Sequence, residues 1–327
     1  MTMQIIVPVT ITSDIITATN ITASTNAVYD STATYTTGDL VVAENSDGND
    51  HIYKWWPPDE ETTNATCTDW PPADHSVTTR ADMDYSLASN ATGYLSYWLD
   101  MGATNQEAMF DGRTSAKTTF SSIDVTVTPG EICNSFAAVG LDATTVTVIV
   151  TDPTEGEVYN VTKSITNSDE ITTYYKWFFT APDHREIVTL TDLPRYTNAS
   201  IRVIIENDLA DVSVGEVILG NTLDVGDLLY GTKSSGTSYT KTTTDDAGYS
   251  ITASILSRQE TDYDVRILTS RISTIKRALA KLMDLPAVFI GNPDILATII
   301  YGTFSEFDLV VDGFYRSSCS ITVTEGI

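Results

Sequence analysis

Positive charge is scarce in this 327-residue chain: Lys and Arg total 18 against 44 Asp and Glu, for a formal net charge of −26. Such a surface repels phosphates, which argues against nucleic acid as a partner, and an anionic membrane face is disfavoured for the same reason. The acidic residues are spread along the chain rather than gathered in a tail, so they read as a solvated surface. Cysteine is also sparse. Cys67, Cys133 and Cys319 are too few and too scattered for a disulfide framework. No apolar run approaches the ~20 residues that span a bilayer. The first ten residues hold no basic region, sustained apolar core or cleavage site, so no export signal is expected.

Residues that carry chemistry are equally thin. The three histidines are His51, His75 and His184. No Gly-x-Ser-x-Gly elbow occurs, and no Gly-rich phosphate loop follows a strand. Cys67 and His75 lie in one polar segment without a second pair to complete a zinc site. Asp47-Gly48-Asn49-Asp50 offers oxygens to calcium but lacks the spacing of a calcium loop, and it reads as a solvated hairpin tip. Carboxylates are so abundant that a glycosidase pair cannot be singled out. The expectation is a protein that is not an enzyme and uses no cofactor or metal.

What the chain does have is Thr, Val, Ile and Tyr, residues that suit a pleated, half-buried surface, so the fold is expected to be mainly β. Residues 1–26 alternate Ile/Val with Thr and read as a strand or arm that buries one face against a neighbouring domain or subunit. Residues 27–117 carry an aromatic module interrupted by a polar insertion, 57–90, with Pro57-Pro58, Asp59-Glu60-Glu61 and Pro71-Pro72. All tryptophans but Trp177 fall between Trp55 and Trp98, which nominates this region as a contact surface. Residues 118–220 show short strands at regular spacing. They include Ser122 to Thr128, Ser135 to Leu141, Thr145 to Thr151, Tyr174 to Thr180, Glu186 to Leu190, Ala199 to Glu206 and Val212 to Leu219, a pattern for an antiparallel β-sandwich or jelly roll. Residues 221–327 open on a Ser/Thr-rich stretch and then give one main helix, Ser270 to Leu285. Ile272, Ile275, Leu279 and Leu282 line one face, Thr269 or Ser270 caps the start and Pro286 stops the end. Strands at Ala287 to Ile290, Ala297 to Tyr301, Phe307 to Val311 and Ser318 to Val323 make this part an α+β domain.

The stretch Val28-Tyr29, Tyr35-Thr36-Thr37-Gly38-Asp39-Leu40-Val41 and His51-Ile52-Tyr53-Lys54-Trp55-Trp56 resembles the small chitin-binding modules of carbohydrate-binding families five and twelve. Tyr29 stands where those modules carry a leading Trp, and the Ala after the third aromatic is missing. The resemblance implies that Tyr29, Tyr35, Tyr53, Trp55 and Trp56 contact a carbohydrate or a protein partner through flat aromatic faces. The alternative is that the same rings fill a very small core. Trp55 and Trp56, being consecutive on a strand, would point to opposite faces, one inward and one outward.

A second likeness covers nearly the whole chain in order. Trp98-Leu99-Asp100-Met101-Gly102-Ala103-Thr104-Asn105, Met109-Phe110-Asp111-Gly112, Pro286 to Gly291, Tyr301-Gly302 and Phe307-Asp308-Leu309-Val310 resemble a group of tailed-bacteriophage virion proteins. Val214 to Gly220 is similar to the last strand of galactose-binding-like jelly rolls. These resemblances imply a structural component of the virion tail or its appendages, assembled in the host cytoplasm. Its partners would be other tail proteins, further copies of itself and host-surface glycan. The competing readings are a stand-alone carbohydrate-binding protein or adhesin, and a capsid decoration protein.

Overall fold

The computed structural model describes residues 2–30, 32–46, 48–55, 76–77, 98–167, 173–179, 183–207, 210–239, 241–244, 250–253, 257–293 and 295–326. The protein is mainly β, built mostly from antiparallel sheets with one main helix among the described residues.

Strict alternation builds the sandwich. Thr145–Asp152 and Ser200–Glu206 bury every second residue, placing Val146, Val148, Val150, Ile201, Val203 and Ile205 on one face. With Gly156–Ser164, Ile123–Val127 and Ile16–Thr19 they form a five-stranded sheet. That face packs on a second layer made by Ile187–Leu190, Ser135–Val139 and the first half of Glu216–Leu228, whose Phe136, Ala138, Val188, Leu190, Val217 and Leu219 complete the core. Each such aliphatic side chain contributes about 1.5–3 kcal/mol by leaving water.

Glu216–Leu228 does not stop at the sandwich. Its second half pairs with Thr2–Pro8, which pairs with Ala287–Ile290, followed by Ile299–Thr303, Arg316–Glu325 and Ser257–Leu268. Ser257–Leu268 then pairs back onto Glu216–Leu228 through Asp227 and Leu228, closing a six-stranded ring. The helix Ile272–Leu282 seals it, with Ile275, Leu279 and Leu282 joining Ile5, Val265, Phe289 and Val323 in one core. The boundary expected at 220/221 therefore falls inside a single strand. Gly220 permits the crossing, because a Cβ there would run into the Val7 carbonyl. Ser135–Val139 is buried at all five positions because both faces of the shared sheet are covered.

Several elements depart from the sequence reading. Residues 1–26, read as one strand or arm, hold two strands in different sheets: Thr2–Pro8 is a central strand of the larger sheet and Ile16–Thr19 an edge strand of the sandwich. Tyr174–Phe179 is a short helix rather than a strand, a run without alternation that supplies no face for a sheet to bury. The main helix has no side-chain cap at its start. It is entered through a 3-10 turn, Thr269–Arg271, and the Thr269 hydroxyl instead meets Gly313 O at 3.0 Å and Ser317 Oγ at 2.9 Å. The helix ends at Leu282, ahead of Pro286, where Asp284 turns the chain at φ 62°. Ser257–Leu268 and Gly156–Ser164 are long strands that the sequence reading passed over.

The aromatic module is a five-stranded sheet in the order Ala27–Val28, Leu40–Glu44, Asp50–Trp55, Trp98–Ala103, Ser76–Val77. Apart from Ser76–Val77, the expected 57–90 loop lies outside the described residues, as do Cys67 and His75.

Candidate functional site

The Thr36–Asp39 turn organises the module. Thr36 N donates to Asp39 Oδ2 at 2.6 Å, Gly38 takes φ 100°, and Gly38 N and Asp39 O bond the Trp55 backbone at 2.8 and 2.9 Å. That staple fixes Trp55 opposite Trp98 on the paired strand, their rings 4.7 Å apart at 60°. Tyr35 meets Trp98 edge-on at 5.4 Å, and Tyr29 stacks on Tyr35 at 6.1 Å. Tyr35 Oη satisfies the Asp30 backbone, accepting from its N–H at 2.8 Å and lying 3.0 Å from its carbonyl. Tyr35, Tyr53, Trp55 and Trp98 are all buried and Tyr29 is half-buried.

These rings are the module's core. A flat platform for carbohydrate or a partner at Tyr35, Tyr53 or Trp55 is thereby corrected: among the described residues the rings share this small core with little aliphatic mass, Val41 and the partly buried Ala33 and Ala43, so the aromatics turn inward to fill it. Trp56 lies outside the described residues. Nor are Trp55 and Trp98 a contact surface.

The expected solvated hairpin tip is also corrected. Gly48 O accepts from Ser13 N at 3.1 Å, Asn49 is 5% exposed, and the tip lies against Thr12. Beside it opens a cleft of about 360 Å³ between the module, the sandwich and the ring. His51 Nδ1 donates to Asp100 at 2.9 Å and Nε2 accepts from Asn45 Nδ2 at 3.0 Å. Burial pushes the Asp100 carboxyl up, but the His51 bond and the Gly102 amide at 2.8 Å outweigh it, leaving it below its ordinary value.

Opposite, burial raises Glu216 well above the usual carboxyl range, the neighbouring Asp111 charge adds to this, and the Gly112 amide at 3.1 Å only partly offsets it. Asp111 is raised too, mainly by burial, against the Arg113 amide at 2.8 Å. Glu107, also raised by burial, accepts from Asp50 N at 2.6 Å and ties the module to the sandwich. Tyr301 stays a phenol, since burial and both carboxyls raise it, and donates to Gly112 O at 3.2 Å. Sequence reasoning missed this constellation because its members lie far apart in the chain. Its only trace was the Trp98 to Gly112 stretch.

Exposed aromatics are concentrated elsewhere. Between the paired strands Phe307–Val310 and Arg316–Glu325, the turn carries Val311, Phe314 and Tyr315, with Phe314 85% and Tyr315 79% exposed and their rings 4.9 Å apart. Val310 and Leu268 are exposed beside them, and Thr269 N donates to Tyr315 O at 3.1 Å. A second cluster, Tyr174 and Phe178, lies on the short helix. Tyr230, fully exposed, borders a groove of about 350 Å³ with Thr232, Ser234 and Asn292. Aromatics in a turn, where polar residues are usual, were the signal available for the first.

Cys133 and Cys319 are buried free thiols, each pushed up to about 11 by burial, so neither is an activated nucleophile. Among the described residues no group of three or more His, Cys, Asp or Glu is arranged to hold a metal ion, and no helix is long and apolar enough to cross a membrane.

Fold and surface thus define a mainly β protein with localised aromatic patches. No family model matches the chain, and no curated protein matches it. A matching solved structure is a mutant of chitosan-binding module 1, derived from a chitosanase/glucanase of Paenibacillus sp. IK-5. It is 13% identical, covering 36% of this chain and 84% of that one, with a TM-score of 0.25, too low to carry weight here.

Proposed function

We propose that the chain is a non-enzymatic structural component of a tailed-virus particle, placed in the tail or its host-facing appendages and docked there on copies of itself and on other tail proteins. The observation that carries this is the exposed apolar turn Val311 to Tyr315 with Val310 and Leu268 beside it. Apolar side chains clustered on a surface mark a protein contact, and aromatic rings supply most of the energy of such contacts. Phe307–Val310 adds an open backbone edge, since among the described residues it pairs with Arg316–Glu325 alone. The strands flanking that turn belong to the ten-stranded sheet shared by sandwich and ring. Sedimentation velocity of the purified chain and of the Phe314→Ser/Tyr315→Ser variant tests this. The wild type forms concentration-dependent multimers and the variant sediments as a monomer. Identical sedimentation of the two contradicts the reading.

A second reading, glycan contact, is favoured by Tyr230, whose exposed ring borders a groove that combines apolar Leu228, Leu229 and Ile295 with the hydroxyls of Thr232 and Ser234. A glycan array with wild type and Tyr230→Ala checks it: binding lost in the variant supports a host-glycan role, and an empty array removes it.

A further inference from the structure

The outer face of the main helix gathers the charge this chain has least of. Ile272–Leu282 buries Ile275, Leu279 and Leu282 and leaves Lys276, Arg277 and Lys281 exposed, with no acidic residue along its length. Among the described residues none of the three forms an ion pair or a side-chain hydrogen bond. The neighbouring cations are engaged. Arg271 Nη2 donates to Asp224 O at 3.0 Å, and Arg316 pairs with Asp227 at 3.3 Å. A row of solvated cations is ordinary on a helix, but this one has apolar borders. Leu268, Phe314 and Tyr315 are exposed at its start, where Thr269 N donates to Tyr315 O at 3.1 Å and Thr269 Oγ1 to Gly313 O at 3.0 Å. Met283 and Leu285 are exposed at its end. Roughly 16 Å of helix separates the two borders. The cationic row therefore adjoins the turn already assigned to docking.

We infer that this helix face is the electrostatic part of that docking surface and takes an acid-bearing face of a second copy of this chain. The inference rests on the docking reading above and names the partner and its chemistry. Charge complementarity selects the occupant. All 44 Asp and Glu lie outside the helix, so a second copy supplies carboxylates to meet the row. A uniformly anionic partner, a lipid surface or a nucleic acid, fits less well. Exposed Asp284 follows the helix, Asp312 lies in the turn and Glu306 precedes Phe307–Val310, and these repel it along with the net charge of −26. Two cationic rows repel each other as well. The helix of one copy therefore meets an acidic face of the next, and helix does not pack on helix across a two-fold axis.

Sedimentation velocity of the full chain at about 0.05 M and about 0.5 M salt tests this, alongside Lys276→Ala/Arg277→Ala/Lys281→Ala, which leaves the aromatic turn intact. All three side chains are exposed, so the triple variant keeps the fold. Self-association of the wild type weakens about tenfold at the higher salt. The triple variant is about tenfold weaker at the lower salt and loses most of the salt dependence. Lys276→Arg/Lys281→Arg, which keeps the charge, associates like the wild type. A triple variant that associates as strongly as the wild type overturns this inference and leaves docking through the turn standing. A wild type that is monomeric throughout overturns both. Binding of the wild type but not the triple variant to anionic lipid vesicles or duplex DNA, with self-association unchanged, overturns it in favour of that partner.

Discussion

Glu216 and Asp100 face the same cleft and respond to pH in opposite directions. In the unfolded chain Glu216 ionises near its ordinary 4.5, while burial and the Asp111 charge raise it in the fold. Its contribution to stability is therefore complete below that ordinary value and is lost as pH rises through the raised one. Asp100, lowered in the fold despite its burial, contributes above its ordinary value and loses that contribution as pH falls through the lowered one. Urea midpoints taken from about pH 3 to about pH 8 should show Glu216→Gln abolishing part of the decline toward neutral pH, and Asp100→Asn costing stability at neutral pH but little in acid. A wild-type curve unchanged by either substitution contradicts this account of the cleft. Trp98 tests the module at the same scale. It touches Trp55, Tyr35 and Tyr29, so Trp98→Ala should cost about 3–5 kcal/mol in chemical denaturation. A loss under about 1 kcal/mol would mean that the rings are not a core. At this scale the sequence was half legible. The aromatic pattern named Tyr29, Tyr35, Tyr53 and Trp55 as a set, but which way a ring faces depends on what else the module has to bury. Chain distance hid the partnership of His51 with Asp100 and of Asp111 with Glu216.

Among the elements, the Thr36–Asp39 turn is the clearest case of sequence dictating structure. Gly38 sits at φ 100° with nothing within 4 Å of where a Cβ would stand, so a substitution there meets backbone strain and no clash. Gly38→Ala should lower the module's stability by more than about 1 kcal/mol, while the sandwich keeps its amide hydrogen-exchange protection. Uniform loss of protection across the chain contradicts that. Strands with clean alternation, such as Ile123–Val127, Thr145–Asp152 and Ser200–Glu206, were legible because one face is buried and the other wet. The main helix was legible from Ile275, Leu279 and Leu282. Ser257–Leu268 escaped because its outward residues are charged: Arg258, Glu260, Asp262, Asp264 and Arg266 mask the inward Tyr263, Val265 and Ile267. Tyr174–Phe179 misled for the opposite reason, being aromatic enough to read as a strand.

Across the whole molecule, the strand Glu216–Leu228 and the first strand, Thr2–Pro8, bind sandwich and ring into one ten-stranded sheet. Linear reading divides the chain where composition changes, so it could not see a sheet that passes through that change. The same sheet carries the strands on either side of the Val311 to Tyr315 turn, and the proposed docking depends on that turn. The most direct measurement places a photoreactive phenylalanine analogue at Tyr315 in the full chain and irradiates the protein under the conditions in which it assembles. Cross-links from that position to a second copy or to another particle protein, read by mass spectrometry, are the predicted result. Irradiation that yields only uncross-linked chain or links within one chain, while the protein remains assembled, contradicts docking through this turn.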